Sequence, residues 1–483
     1  MKLLGPTLFI LGAILNLLAL FMLVPLAFSV IDDSDNQLAF FASATITSLV
    51  GIVFLLIGRK ANFDYMQPRQ VFLITSGSWL GVCLLSSLPF LLIDNPLSLA
   101  DSIFEAVSGV TSTGSSVISG LEKLPRDILL WRSLLNWIGG IGIIGMAIVV
   151  LPFLRVGGMR LFKTESSEWS DKAMPRARSL IAMIIYCYIS LSVLCFLLYW
   201  LAGMDWFNAI NHAMATVSTG GFSTADSSFA QFNNLLIHWI CILFMFAGAM
   251  PFVLFVRLVV SHNWRVFTDT QVKGLLLAIV STSLVVSIHL IISEQMPPLQ
   301  AITMATFNLV SVITTTGFAS ADYQTWGSLA VMIFFFAMFI GGCSGSTSGG
   351  VKIFRLQIFG GLMREQIITA IHPRAIISRR YNNRLISSEI IASSISYMFL
   401  MMGCFIVIAI ILALTGLDLV TAITGSATAV MNVGPGLGNI IGPAGNFAPL
   451  SDTAKYALSA GMLLGRLEFL TILVLFSRVF WRS

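Results

Sequence analysis

The sequence predicts an all-α integral membrane protein: ten transmembrane helices plus four re-entrant pore half-helices, arranged as four pseudo-fourfold helix–half-helix–helix repeats around one central pore. Three observations carry this. Apolar runs of membrane-crossing length recur along the chain. A shorter apolar stretch lies in the outward-side gap between the two runs of each of four pairs. Each short stretch leads into a small polar segment that ends in glycine.

The apolar runs cover about 3–30, 38–58, 71–93, 128–152, 178–202, 234–260, 274–293, 328–358, 386–415 and 453–480. Each reaches the ~20 residues that a helix needs to cross a bilayer. Of the 483 residues, 57% are hydrophobic and 10% charged. Soluble domains carry about 25% charged residues, and a mean hydropathy of +0.91 excludes that class. The first run continues to about Val30, past the usual ~7–15 residues of a signal-peptide core. It reads as a retained transmembrane helix.

Ten spans place both termini on one side. This topology puts 22 Lys/Arg on that side and 4 on the other, with Arg466 inside the last span. Lys/Arg excess marks the cytoplasm, so both termini are expected there. The basic residues concentrate at 155–178 and 352–384. They flank membrane spans, which argues against nucleic acid as a partner; lipid is the expected surround. Acidic residues are biased outward, 14 against 7. A solvated surface and a cation-concentrating outer mouth both explain that bias.

The domain reading follows the spans. Residues 1–70 form two leading helices. Pore repeats then cover 71–155, 178–262, 272–366 and 384–483. The short stretches, about 99–110, 205–217, 299–313 and 418–430, are too short to span and suit re-entrant half-helices. They lead into Thr111-Ser112-Thr113-Gly114, Ser218-Thr219-Gly220-Gly221, Thr314-Thr315-Thr316-Gly317 and Met431-Asn432-Val433-Gly434. Ungapped alignment matches Gly114, Gly221, Gly317 and Gly434, with Gly220 the alternative in the second copy. Six residues earlier stand Ser108, Ala215, Ser311 and Thr428. Downstream, small pairs recur at Gly139-Gly140, Ala247-Gly248, Gly341-Gly342 and Ala460-Gly461.

This pattern has a physical logic. A half-helix ending at mid-membrane points its negative dipole end inward and favours a cation there. A ring of backbone carbonyls replaces a cation's water shell. Glycine permits the backbone angles of such a return. Ser and Thr hydroxyls hold carbonyls from behind or add ligands.

These residues resemble the Trk/Ktr/HKT superfamily of cation transporters, over essentially the whole chain. Ser218-Thr219-Gly220-Gly221-Phe222, Thr315-Thr316-Gly317-Phe318, the stretch Asn432 to Gly438 and the two leading helices carry the resemblance. It implies M1–P–M2 units, a potassium ion held in a four-part filter, and uptake across the bacterial inner membrane. A serine at the first filter glycine is associated in the plant branch with sodium; here Gly114 stands there, which implies potassium. The resemblance also implies a homodimer and a cytosolic Rossmann-type nucleotide-binding regulatory subunit. The basic segments are the docking candidates.

The run Gly341 to Gly350, followed by Lys352, cannot form a stable lipid-facing helix, since each Gly costs about 1 kcal/mol relative to Ala. A close-packing kink is one reading. The resemblance implies a gate in which Gly341, Gly342, Ser344, Gly345, Gly349, Gly350, Lys352 and Arg466 take part. Arg466 sits inside an apolar span, where an unpaired charge is expensive. It is either a structural ion pair with another helix or a positive barrier below the filter. Glu468, two residues on, is expected on a different helix face.

Other polar residues carry less. His212 and Glu105 lie in half-helices; His238, His262, His289 and His372 are scattered and suggest no metal cluster. Asp226 and Asp322 either ring the entrance or cap the following turn. The glycines from Gly139 to Gly145 suit helix packing. Six cysteines, Cys343 among them, lie in or beside apolar runs and show no zinc spacing. No Walker A loop is present, so no organic cofactor is expected in this chain. No acid/base pair in the spans suggests an enzyme. A carrier coupling cation entry to Na+ or H+ by alternating access is the remaining alternative. Such carriers pair broken helices in inverted halves, whereas one broken helix is expected here.

Overall fold

The computed structural model describes residues 4–61, 67–149, 173–262, 267–375, 377–382 and 384–482. Two leading helices, α1 (Leu4–Ile31) and α2 (Gln37–Gly58), pack along each other. Their contact is built on small residues. A Cβ added at Gly12 would lie 2.6 Å from Gly51 O, and one at Gly58 would lie 2.6 Å from Phe9 N. Such close backbone approach is how helices associate where burial supplies no hydrophobic drive. Asn16 adds a polar tie, accepting from Ser48 Oγ at 3.0 Å across the pair. The outer faces, with Leu17, Leu20 and Leu49, stay exposed, as lipid-facing surface requires.

The rest of the chain repeats one plan. Helices α3 (Pro68–Ser86) and α4 (Leu88–Leu92) lead to the short α5 (Leu99–Val110), then to α6 (Arg126–Val149). The second unit comprises α7 (Ala173–Leu201), the short α8 (Trp206–Val217), α9 (Leu235–Gly248) and α10 (Phe252–Ser261). The third comprises α11 (Thr270–Ser293), the short α12 (Pro298–Ile313), α13 (Gly327–Ala337) and α14 (Ile353–Ile371). The fourth comprises α15 (Ser388–Leu414), the short α16 (Leu419–Met431), α17 (Asp452–Arg466), α18 (Leu470–Leu473) and the terminal α19 (Arg478–Trp481). A two-residue ladder, Arg380–Tyr381 against Arg384–Leu385, is the only strand pairing among the described residues.

The short helices begin where their sequences say they should. Ser98, Asp205 and Asp418 accept hydrogen bonds from the first-turn N–H groups of α5, α8 and α16, the usual device for orphan donors. Helix α12 opens instead on a proline, whose missing N–H is harmless there. In contrast to the long helices, their surfaces are almost wholly buried from mid-length onward.

Among the described residues, seven helices are long and apolar enough to cross a membrane, or nine if each of two bent pairs counts as one span. Those bent pairs correct the expectation of a single broken helix. The α9–α10 pair turns by 93° and the last pair, from Asp452–Arg466 into Leu470–Phe476, by 104°. Pro251 explains the first: it follows Met250 at the break and has no N–H to continue the ladder. The second has no Gly or Pro. Glu468 and Phe469 take φ of +56° and +50°, which ends α17 abruptly. The third unit breaks over the longest stretch, between Ala337 and Ile353. Most of the basic segment 155–178 lies outside the described residues.

Gly12→Val should push α1 off α2. Overpacking of this kind costs roughly 1–3 kcal/mol, read as a lower thermal midpoint of the detergent-purified protein; an unchanged midpoint would mean the two helices separate freely.

Candidate functional site

The four Thr/Ser/Gly segments follow directly on the C-termini of α5, α8, α12 and α16, and one hydrogen-bond pattern recurs in all of them. The residue before each aligned glycine donates its N–H back into the short helix. Thr113 N reaches Ser108 O at 2.9 Å, Gly220 N reaches Ala215 O at 2.8 Å, Thr316 N reaches Ser311 O at 2.8 Å and Val433 N reaches Thr428 O at 3.0 Å. The small residues at those positions leave room for this return. Each helix thus ends on its own segment, with about half an elementary negative charge at that end.

The backbone angles repeat as well. Ser112, Thr219, Thr315 and Asn432 have φ of +52°, +50°, +56° and +56°. Two residues on, Gly114, Gly221, Gly317 and Gly434 have φ of +88°, +74°, +86° and +114°. Gly221, not Gly220, therefore occupies the shared left-handed position.

The segments meet in cyclic order. A Cβ on Gly114 would lie 2.5 Å from Gly220 O, and one on Gly434 would lie 2.9 Å from Thr113 O. Side chains on Gly221 and Gly317 would collide with Thr316 O and Val433 O. Each glycine faces the carbonyl that precedes the next copy's glycine, and the fourth returns to the first. Flanking bonds follow the same order. Arg132 Nη1 donates to Ser223 O at 2.8 Å, Phe229 N to Ala319 O at 2.9 Å, Gly438 N to Gln324 Oε1, and Ser115 Oγ to Gly434 O at 2.7 Å.

The hydroxyls divide into two roles. Thr111 and Thr314 bond back to Val107 O and Val310 O, both at 2.7 Å, and also to Thr113 and Thr316. Thr219 and Thr315 turn away from the ring toward the loop at 341–350. The fourth copy differs: Asn432 Nδ2 donates to Thr113 Oγ1 at 3.0 Å and to Met462 O at 2.9 Å.

The long-helix glycines abut the short-helix ends. Gly139 and Gly248 back onto Val110 O and Val217 O. In the fourth unit the matching contact, to Val430 O, comes from Gly465 rather than Gly461, one turn later than the small-pair alignment expects.

The glycine/serine loop lies against three of the four segments. Thr347 Oγ1 donates to Gly248 O at 2.9 Å and lies 3.1 Å from Thr219 Oγ1. Ser348 Oγ donates to Thr314 O, Gly349 N to Thr315 Oγ1 at 2.6 Å, and Gly350 N to Met431 O at 2.9 Å. Lys352 Nζ closes the loop on itself through Ser348 O at 2.6 Å. Ser344 N is held by Gln271 Oε1 at 2.8 Å, and Gly345 O by Phe252 N at 3.1 Å. Gly341, Gly345 and Gly350 all have φ above +70°. Gly342 packs on the loop's own Ser348. Cys343 is buried and free.

Arg466, the last residue of α17, is 3% exposed, and its three guanidinium nitrogens have no hydrogen-bond partner among the described residues. It shares a cavity with Ile143, Met146, Ser346, Lys352 and Tyr397. Glu468 does not pair with it. Because α17 stops at Arg466, Glu468 leaves the helix and takes Arg355 Nη2 at 2.7 Å. Arg355 also lies 3.7 Å over the Tyr397 ring, whose hydroxyl donates to Gly350 O at 3.2 Å.

Asp322 caps the turn that follows it, whereas Asp226 reaches across to a turn in the first unit. Asp226 accepts from Gly120 N at 2.6 Å and Leu121 N at 3.1 Å; Asp322 accepts from Gln324 N at 3.1 Å. No metal-ligating cluster of His, Cys, Asp or Glu exists among the described residues. Sequence reading passed over Arg132, Asn136, Arg355 and Tyr397. Arg132 is 1% exposed. A charge within the run 128–152 was its available signal.

Comparison with known proteins places this geometry in a family context. The family model described as TrkH, cation transport protein, matches residues 36–482. The Trk system potassium uptake protein TrkI of Halomonas elongata is 43% identical over 99% of this chain and 97% of its own. The Trk system potassium uptake protein TrkH of Escherichia coli is 32% identical over 98% of each. The crystal structure of the potassium transporter TrkH from Vibrio parahaemolyticus covers both chains fully, with a TM-score of 0.92 at 30% identity.

Replacing Arg466 by Met removes an unpaired buried charge. Exchanging even a buried ion pair for apolar groups of similar volume is neutral or gains up to about 4 kcal/mol, and a lone guanidinium has no pair to lose, so the thermal midpoint should rise. A fall would show that Arg466 makes stabilising bonds.

Proposed function

We propose that this chain, which belongs to the TrkH family of cation transport proteins, takes up potassium ions through a central pore. The supporting observation is the cyclic order in which each aligned glycine meets the carbonyl of the next copy. Carbonyls converging on one axis can replace the hydration shell of a monovalent cation. Four short-helix C-termini add a negative field at the same place. The relatives are named as potassium uptake proteins, and potassium is accordingly the proposed substrate. On this reading Thr111–Gly114, Ser218–Gly221, Thr314–Gly317 and Met431–Gly434 form the filter, with the Gly221 position serving in the second copy.

The ten-span topology and both cytoplasmic termini belong to the same proposal, in the bacterial inner membrane. The loop from Gly341 to Gly350 is the gate. Its bonds to Thr219, Thr314, Thr315 and Met431 hold it against the filter. Lys352 and the unpaired Arg466 place positive charge beside the cavity that a leaving cation would cross. The protein works as a homodimer controlled by a cytosolic Rossmann-type nucleotide-binding subunit that docks on the basic inner segments. Rescue of a potassium-uptake-deficient strain at low potassium, with and without sodium competition, tests the activity. Failure to rescue with normal membrane expression would contradict it.

Gly317→Ser puts a side chain against Val433 O at a φ of +86°. Potassium-over-sodium preference should fall by about tenfold, the change that ~1.4 kcal/mol of lost discrimination produces; unchanged ion ratios would count against the filter assignment. Shortening the loop between Gly345 and Gly349 should raise basal flux, whereas lower uptake at normal expression would argue against a gate.

A further inference from the structure

Behind each proposed filter copy stands a buried side chain that the mechanism above leaves unused. Counting nine residues back from Gly114, Gly221, Gly317 and Gly434 gives Glu105, His212, Asn308 and Gly425. Each of the first three bonds the strand that leaves its own filter glycine. Glu105 accepts from Ser116 Oγ at 3.0 Å and from Val117 N at 3.0 Å. Asn308 accepts from Ser320 N at 3.0 Å and donates to Ser320 Oγ at 2.9 Å. His212 Nδ1 lies 2.8 Å from Asn208 O, which can only accept. In the neutral ring Nε2 is then left to accept from Ser223 Oγ at 3.1 Å. In the fourth copy the adjacent Thr424 substitutes for the missing side chain of Gly425, its Oγ1 accepting from Leu437 N at 3.0 Å. All four pillars are buried.

The first copy carries an additional tie. Arg132 Nε donates to Glu105 at 2.7 Å, Nη2 to Ser116 Oγ at 3.0 Å and Nη1 to Ser223 O at 2.8 Å. Its guanidinium lies 4.3 Å from the centre of the Phe222 ring. One turn on, Asn136 donates to Gly109 O at 2.9 Å and accepts from Phe222 N at 3.1 Å. Arg132 and Asn136 thus join the first copy to the second.

Buried polar groups pair for stability alone in any protein. Here the same helix position reaches the same strand in three copies, the fourth does so from one residue earlier, and the chemistry is a carboxylate, an imidazole, an amide and a hydroxyl. Shared geometry without shared side-chain type points to a common positional task. We propose that Glu105 with Arg132, His212, Asn308 and Thr424 are positioning residues: they fix each post-glycine strand to its half-helix, set the width of the ring and so its ion selectivity. This rests on the filter reading above. Preorganising a site through the groups behind its ligands is the general requirement for such precision.

The test uses the full chain in proteoliposomes, measuring initial potassium and sodium uptake and the KM for potassium. The variants are Asn308→Ala, Ser320→Ala, Glu105→Gln and Arg132→Lys, with Gly317→Ser as comparator. Loss of a pillar bond should narrow the potassium-to-sodium ratio by about five- to tenfold, the scale of one buried hydrogen bond, and raise the potassium KM. The double variant Asn308→Ala/Ser320→Ala should go no further than Asn308→Ala alone, because that change already removes both bonds between the two residues. If capacity for both ions falls in proportion and the ratio holds, the pillars are merely structural and the proposal is overturned. If Gly317→Ser alters the ratio and the pillar variants do not, the filter reading stands and this inference fails; if none alters it, both fail. Should the Glu105 and Arg132 variants not fold, the smaller Ser320→Ala change decides.

Discussion

Four backbone carbonyls, each packed against a glycine of a neighbouring copy, organise the chain. Each aligned glycine lies against the carbonyl preceding the next copy's glycine, so that no Cβ fits at the junctions. The contact demands that the four segments meet in register. Four short helices deliver them, each closed by the same N–H to C=O return. The long helices then approach the short-helix ends through Gly139, Gly248 and Gly465, because a larger residue would meet those carbonyls.

The copies agree in backbone and differ in side chain. Left-handed angles recur at the same two positions in all four, yet the fourth uses Asn432 to grip Thr113. Below the ring the departures are larger. Helix α6 runs unbroken to Val149, while the second helices of the other three units break. What distinguishes the third unit is therefore the length and composition of its break, not the break itself. Its hydroxyl and amide groups reach the second, third and fourth copies. On the proposed reading, symmetry in the backbone supplies selectivity and asymmetry in the floor supplies the gate.

The glycine positions were legible because a left-handed residue packed against a neighbouring carbonyl admits little else. The short helices were legible from the length of their apolar stretches, and their bounds fall within a residue or so of those stretches. Pro251 was a readable sign of the α9–α10 bend. The break at Glu468 was not readable, since neither Gly nor Pro stands between Arg466 and Leu470, and Glu468 finds its partner Arg355 113 residues away. The pillars escaped for another reason. Four side-chain types share one task, and composition hides a role defined by position. Arg132 escaped because its partners, Glu105 and Ser223, lie 27 and 91 residues away.

The central claim is that the four segments form one potassium-conducting ring. The most direct measurement is the current through the purified protein in a planar bilayer, with potassium on one side and sodium on the other. The account predicts discrete current steps that reverse near the potassium equilibrium potential. Saturable, ion-coupled flux without such steps, or reversal indifferent to which cation is present, would contradict it.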